Sequence, residues 1–176
     1  MSDLSKGSVF MKCETTSLVL DTNVMIDYYL GDRPKSGEAK AFFDYALAHK
    51  ESCPLLYSPH CISTLFYLIS NATKQSARQR LTRITEKDSL IAIEFAWGCI
   101  DHLQENATAV GADQSDVWLA CKLRGVHNDL EDNLIIAAAT RAHASYLITN
   151  DEKLIKHATV PALTPKDALA VLQAFD

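Results

Sequence analysis

The chain contains no C-x-x-C pair. Its five cysteines, Cys13, Cys53, Cys61, Cys99 and Cys121, are scattered, and no neighbouring histidines complete a zinc pattern. An odd, dispersed set of this kind reads as reduced, mostly buried thiols, the pattern of a cytoplasmic protein. Long apolar runs are also missing. Nothing spans a bilayer, so no membrane association is expected. The opening "MSDLSKGSVFMKCETT" has no long apolar stretch and does not read as a secretory signal; Met11 is a second candidate start. Internal repeats and low-complexity linkers are lacking too. So is any excess of basic charge. A net charge of −5 weighs against tight, nonspecific binding to duplex nucleic acid. It leaves room for an enzyme that holds cations and meets nucleic acid on one local patch.

What remains is an ordinary globular composition. Of 176 residues, 48% are apolar and 22% charged, enough for one domain with a sizeable core. Residues 1–16 are expected as a flexible N-terminal segment and 17–176 as a single domain. "SLVLD", "PLLYS", "ATAVG", "SYLIT" and "VPALT" have the length and apolarity of short strands. Helical spacing marks Glu38–His49, the stretch "PHCISTLFYLISNAT", a basic segment Lys74–Thr85, and Leu90–Asn106. It also marks Gln114–Arg124, "DLEDNLIIAAATRAHA" and Lys166–Ala174. Strands alternating with helices predict βαβ units and a mainly parallel sheet covered on both faces. Sites in such folds form at the carboxyl ends of the strands.

Two polar clusters stand at those ends. Asp21, Thr22 and Asn23 follow "LVL", and Thr22 and Asn23 are expected to fix a turn; Thr149, Asn150 and Asp151 follow "YLI". Asp132 opens an alanine-rich helix, with Ile136 and Ala139 on its face at i+4 and i+7. Each acid has a structural explanation when read singly. Asp21 suits an Asx-turn or an N-cap. Asp132 suits a helix first turn, where the macrodipole favours acids. Asp151 suits a cap for "EKLIKHA". Their joint placement at strand and helix ends points elsewhere, to oxygen donors for a hard divalent cation.

At this point the sequence resembles the PIN-domain ribonucleases, especially VapC-like toxins of bacterial toxin–antitoxin pairs. Three segments carry the likeness, in the family's order: "LVLDTNVMIDYYL", "DLEDNLIIAAATRAHASYLITND" and "VPALTPKDAL". The resemblance implies a three-layer α/β/α sandwich around a mainly parallel sheet. It implies hydrolysis of RNA phosphodiesters by metal-activated water, with Mg²⁺ or Mn²⁺ as cofactor, leaving a 5′-phosphate and a 3′-hydroxyl. Asp21, Asp132 and Asp151 match the family acids and are the expected catalytic metal ligands, with Glu131 and Asp129 as supplementary donors. Asn23, Thr149 and Asn150 match supporting polar positions. An antitoxin protein and a homodimeric partner copy are implied as well.

One position departs from the family pattern. A glutamate is usual in the helix after the second strand, in a form like S-P-x-x-L-x-E. Here "SPHCIST" places Thr64 there. A hydroxyl carries no charge and is a weak metal ligand. That keeps open a second class of function, a catalytically impaired PIN-like module that binds RNA or protein. Haloacid-dehalogenase-type phosphatases need a second aspartate two residues after the first, and Asn23 stands there. A receiver-like domain needs a strand-end lysine, and Lys153 and Lys166 fit neither spacing. For substrate contact the candidates are Arg78, Arg80 and Arg83, with Arg80, Arg83 and Lys87 expected on one helical stripe.

Overall fold

In the computed structural model the described residues are 15–80 and 85–174. Five short strands form one sheet: β1 (Leu18–Leu20), β2 (Leu55–Tyr57), β3 (Thr108–Ala109), β4 (Tyr146–Ile148) and β5 (Ala162–Leu163). Their order is β3-β2-β1-β4-β5, and every pairing is parallel. Parallel neighbours require crossovers, and helices supply them. In chain order these are α1 (Thr22–Tyr29), α2 (Ser36–Ala48), α3 (Cys61–Arg80), α4 (Glu86–Asn106), α5 (Gln114–Leu123), α6 (Leu130–Arg141), α7 (Glu152–His157) and α8 (Pro165–Gln173).

Strand alternation separates the core into two layers. Leu18, Leu20 and Ile148 point into one, against Val24 and Met25 of α1, Phe42 and Phe43 of α2, Leu65 and Ile69 of α3, and Leu172 of α8. Val19 and Leu147 point the other way, against Ile135, Ile136 and Ala139 of α6 and Leu154 of α7. Three-residue strands suffice because both faces are covered. The result is the expected α/β/α sandwich.

Three sequence expectations need correction. The stretch after Asp21 is no mere turn; it is helical from Thr22 to Tyr29. It is too short and too apolar throughout for its 3.6-residue period to stand out. The basic segment is not a separate helix either. It continues α3 as far as Arg80, because nothing in the stretch Asn71–Lys74 breaks the helix. Lys87 sits on a different helix from Arg80: Thr85 opens α4 through a capping box with Asp88. Arg83 lies outside the described residues, as do residues 1–14 of the expected N-terminal segment. Of the cysteines, Cys53, Cys61 and Cys99 are buried, Cys121 is exposed, and all four are free thiols.

The strand order places the site. Leaving β1, the chain runs outward through β2 and β3, then returns to the other side of β1 with β4 and β5. The direction reverses between β1 and β4, where a crevice opens beyond the strand ends. The residues that follow those two strands are Asp21 and Thr149.

Candidate metal centre

Asp21 stands at the N-cap position of α1, yet its side chain makes no capping hydrogen bond. Its carboxylate is instead gripped by two side chains. Thr149 Oγ1 donates to Asp21 Oδ2 at 2.6 Å, and Asn23 Nδ2 donates to the same oxygen at 2.5 Å. Thr149 also accepts from Asn23 Nδ2 at 3.2 Å and from the Asp151 backbone N–H at 3.0 Å. With both acceptor positions taken, its one proton has only Asp21 to serve. Asn23 Oδ1 accepts from the Asn150 N–H at 3.0 Å, which ties the β4 loop to α1. These bonds join the end of β1, the first turn of α1 and the β4 loop around Asp21.

Asp21 is only 3% exposed. Burial pushes its carboxyl up from 3.8 to about 7; the Thr149 hydrogen bond opposes this and the Asp132 charge adds to it. Asp132 is half-buried, and its carboxyl is also raised, first by desolvation, with Asp129 and Asp151 contributing like charge. Its Oδ2 lies 2.5 Å from His127 Nε2. Glu131 Oε1 accepts from Thr22 Oγ1 at 3.0 Å, joining α6 to α1.

The other two acids do what a cap does. Asp129 accepts from the N–H groups of Glu131 and Asp132 at 2.9 and 3.3 Å. Asp151 accepts from those of Lys153 and Leu154 at 2.7 and 3.3 Å. Each caps its helix by one oxygen, and the other makes no hydrogen bond among the described residues. Asp21, Asp129, Glu131 and Asp132 line a common cleft of about 460 Å³; Asp151 is not among its lining residues. Thr64, Leu68, Asn71 and Gln75 of α3 form the facing wall at helical spacing. Arg78 continues that stripe three residues on, exposed, while the exposed Arg80 falls off it.

The donors suit a hard divalent ion in type: carboxylate oxygens from two separate elements, crowded at the end of a buried sheet. A cation there would offset the burial that raises Asp21 and Asp132 and the like-charge repulsion that adds to it. Among the described residues, however, no three acids, histidines or cysteines already converge on one point. Asp132 and Glu131 are engaged with His127 and Thr22, so they would share their oxygens between those partners and an ion. A carboxylate has the lone pairs to do so.

Four residues of this neighbourhood escaped the sequence reading as site members: Asp27, Arg33, His127 and Asn133. Asp27 is nearly fully buried in α1, and Arg33 Nε donates to it. Asn133 Nδ2 donates to the His127 carbonyl at 2.9 Å and fixes the loop before α6. Asp27 did leave a signal: it is one acid inside the otherwise apolar and aromatic run "VMIDYYL".

A family model described as "PIN domain" matches residues 17–153. No curated protein sequence matches the chain. Among solved structures, FitAcB from Neisseria gonorrhoeae superposes with a TM-score of 0.57 at 16% identity, over 84% of this chain and 97% of that one. VapBC2 from Rickettsia felis, bound to a DNA fragment from its promoter, gives 0.56 at 12%, over 84% and 98%. PAE2754 from Pyrobaculum aerophilum gives 0.56 at 15%, over 91% and 98%. At such identities the likeness is one of fold.

Proposed function

This chain belongs to the PIN-domain family, and on that premise we propose that it is a metal-dependent endoribonuclease, the toxin of a toxin–antitoxin pair. One observation carries the proposal most. Asp21 is buried at the switch point of the sheet with its carboxylate unused for capping, facing a cleft that Asp132 also lines. Burying an acid there destabilises the fold unless something uses it.

Asp21, Asp132 and Glu131 would hold Mg²⁺ or Mn²⁺, with the second oxygen of Asp129 beside them. When bound, such an ion lowers the pKa of a coordinated water and stabilises charge on phosphoryl oxygens. The chain's own residues do the rest. Thr149 and Asn23 fix the Asp21 carboxylate and keep it from rotating. His127 orients Asp132, and Thr22 orients Glu131. Asp151 adds negative charge that favours a cation, from the rim. On α3, Asn71 and Gln75 offer amide contacts to an RNA strand, and Arg78 and Arg80 offer phosphate contacts further along.

A protein partner is supported by a second feature. Tyr67 and Leu68 of α3 and Leu90, Ile91, Phe95 and Trp97 of α4 are exposed, and Phe66 packs on Trp97 with ring centroids 5.1 Å apart. Such exposed apolar side chains on α3 and α4 offer surface to a protein partner. An antitoxin or a second copy of the chain would cover it. Among the described residues no helix is long and apolar enough to cross a membrane.

The impaired-module reading has one observation behind it: Thr64 lines the cleft where the family pattern has an acid. The deciding experiment is Mn²⁺-dependent cleavage of a small-RNA pool by the native protein and Asp132→Asn. Cleavage lost in the variant supports the nuclease. No cleavage by folded, partner-free native protein supports the binding module.

A further inference from the structure

Among the described residues, the acid-lined cleft has one cation in its wall. Arg33 sits in the turn between α1 and α2 and lines the cleft beside Asp21, Asn23 and Ile26. It does not pair with any of the cleft acids. Its Nε donates to Asp27 Oδ1 instead, and Asp27 is 4% exposed. The second Asp27 oxygen accepts from Asn150 Nδ2 at 2.8 Å. Both oxygens of the buried carboxylate are thus used, one by the guanidinium and one by the β4 loop that carries Thr149.

This arrangement has a directional consequence. A guanidinium is a planar fork with five N–H donors. Asp27 takes the inner one and fixes the plane. The terminal nitrogens, on a side chain that is 44% exposed, are left without a protein partner among the described residues. They are held at the cleft and held back from Asp21, Glu131 and Asp132. Were Arg33 a simple neutraliser of those acids, it would bond to them. A cleft lined both by carboxylates and by a guanidinium that is bonded to Asp27 rather than to them is laid out for an anion between a cation and an arginine.

We propose that Arg33 is a substrate-binding residue that grips an RNA phosphate through its terminal nitrogens, and that buried Asp27 is the positioning residue that aims it. The assignment rests on the nuclease reading above and adds a phosphate contact inside the cleft to those that Arg78 and Arg80 offer further along. Arginine is suited to it because the fork meets two phosphate oxygens at once. The same anchor links substrate grip to the metal end, since Asn150 bonds Asp27 through its side chain and Asn23 through its backbone.

The test compares the native protein with Arg33→Lys and with the double variant Asp27→Asn, Arg33→Ala. The double variant avoids leaving a bare buried charge, which alone could unfold the chain. Three quantities are read: Mn²⁺ binding by calorimetry, Mn²⁺-dependent cleavage of a small-RNA pool, and metal-free binding of that RNA at several salt concentrations. The double variant is expected to bind Mn²⁺ as well as native protein or better. Its KM for RNA should rise at least tenfold, with kcat changed less, and its salt slope should be shallower by about 0.7, one phosphate contact on a single strand. Arg33→Lys should recover the salt slope but not the KM. Native-like KM and slope in the double variant would overturn the Arg33 assignment and leave the nuclease standing, with the pair as a mere tie between α1 and the loop. Folded native protein that neither cleaves nor binds the RNA would overturn the nuclease and the Arg33 assignment together. RNA binding without cleavage still leaves the slope to decide.

Discussion

The Thr149 hydroxyl donates to the Asp21 carboxylate at 2.6 Å and thereby joins the ends of β1 and β4. Its other two hydrogen-bonding positions are occupied, so the proton has no competing acceptor. This bond favours the ionised form of Asp21 against the burial that opposes it. Thr149→Val keeps the shape and removes the bond. It should move the pH at which Mn²⁺ binding reaches half its maximum upward, by about one unit. Thr149→Ser should leave it in place. Calorimetric titration of Mn²⁺ from pH 5.5 to 8.5 would show the shift; a midpoint unmoved by Thr149→Val would remove the threonine from the site's electrostatics.

Burial of Asp21 also makes a stability prediction. Its carboxyl rises from 3.8 in the unfolded chain to about 7 in the fold. The folded state therefore binds more protons than the unfolded state between those two values. Stability must fall as pH rises through that window and level off above it. Asp132 shifts in the same direction and adds to the slope. Metal-free protein should lose on the order of a few kcal/mol between about pH 4 and pH 7. Asp21→Asn should flatten much of that loss, and added Mn²⁺ should reverse it in the native protein only. Urea unfolding at four pH values checks both. A metal-free profile that instead rises with pH over this range would mean that Asp21 stays ionised in the fold.

Much of this was legible in the chain. The strands announced themselves as short apolar runs between helical stretches, and Asp21, Asn23 and Thr149 stood at strand ends where parallel sheets expose side chains. Asp151 was legible as a cap as well as a ligand, and it does cap; Asp129, read only as a supplementary donor, caps α6. What stayed hidden was pairing over distance. Asp27 with Arg33 and Asn150, and Thr22 with Glu131, are contacts between α1 and elements distant in the sequence or across a turn. No local period reports such pairs. Helix α1 was hidden for a related reason. It is buried on most of its surface, so its sequence is apolar nearly all round and lacks the alternation that reveals a surface helix.

The alanines of α6 couple packing to the site. Ala137, Ala138 and Ala139 are all buried, and Ala139 lies against Val19 and Leu147 of the sheet. Small side chains let the helix approach closely, and Asp132 rides at its first turn. Ala139→Leu would force the helix outward at a cost of about 1–3 kcal/mol. In a domain of this size that lowers Tm by roughly 5 °C. Because Asp132 moves with the helix, Mn²⁺ affinity should drop as well. Ala142→Leu, at the half-exposed end of the helix, is the control and should change neither. Thermal melts with and without Mn²⁺ separate the two effects. Equal loss of Tm with unchanged Mn²⁺ affinity would show that the helix can shift without carrying the acid.

Thr64 sets the last test. It lines the cleft one turn into α3, on the wall facing Asp21 and Asp132. Its hydroxyl adds no charge, and the facing wall beyond it, Asn71 and Gln75, is neutral too. Thr64→Glu would place a carboxylate on that wall and give a bound cation ligands from both sides. It is half-buried rather than enclosed, so the longer side chain can extend along the cleft without displacing core residues. Mn²⁺ affinity should rise at least tenfold, and the pH midpoint for Mn²⁺ binding should not fall, because a further acid near Asp21 raises its carboxyl. Cleavage should then reach its maximum at lower Mn²⁺. Unchanged affinity in a well-folded variant would mean that the α3 wall stands too far from Asp21 to share an ion. The metal would then be held by Asp21, Glu131 and Asp132 from the sheet side alone.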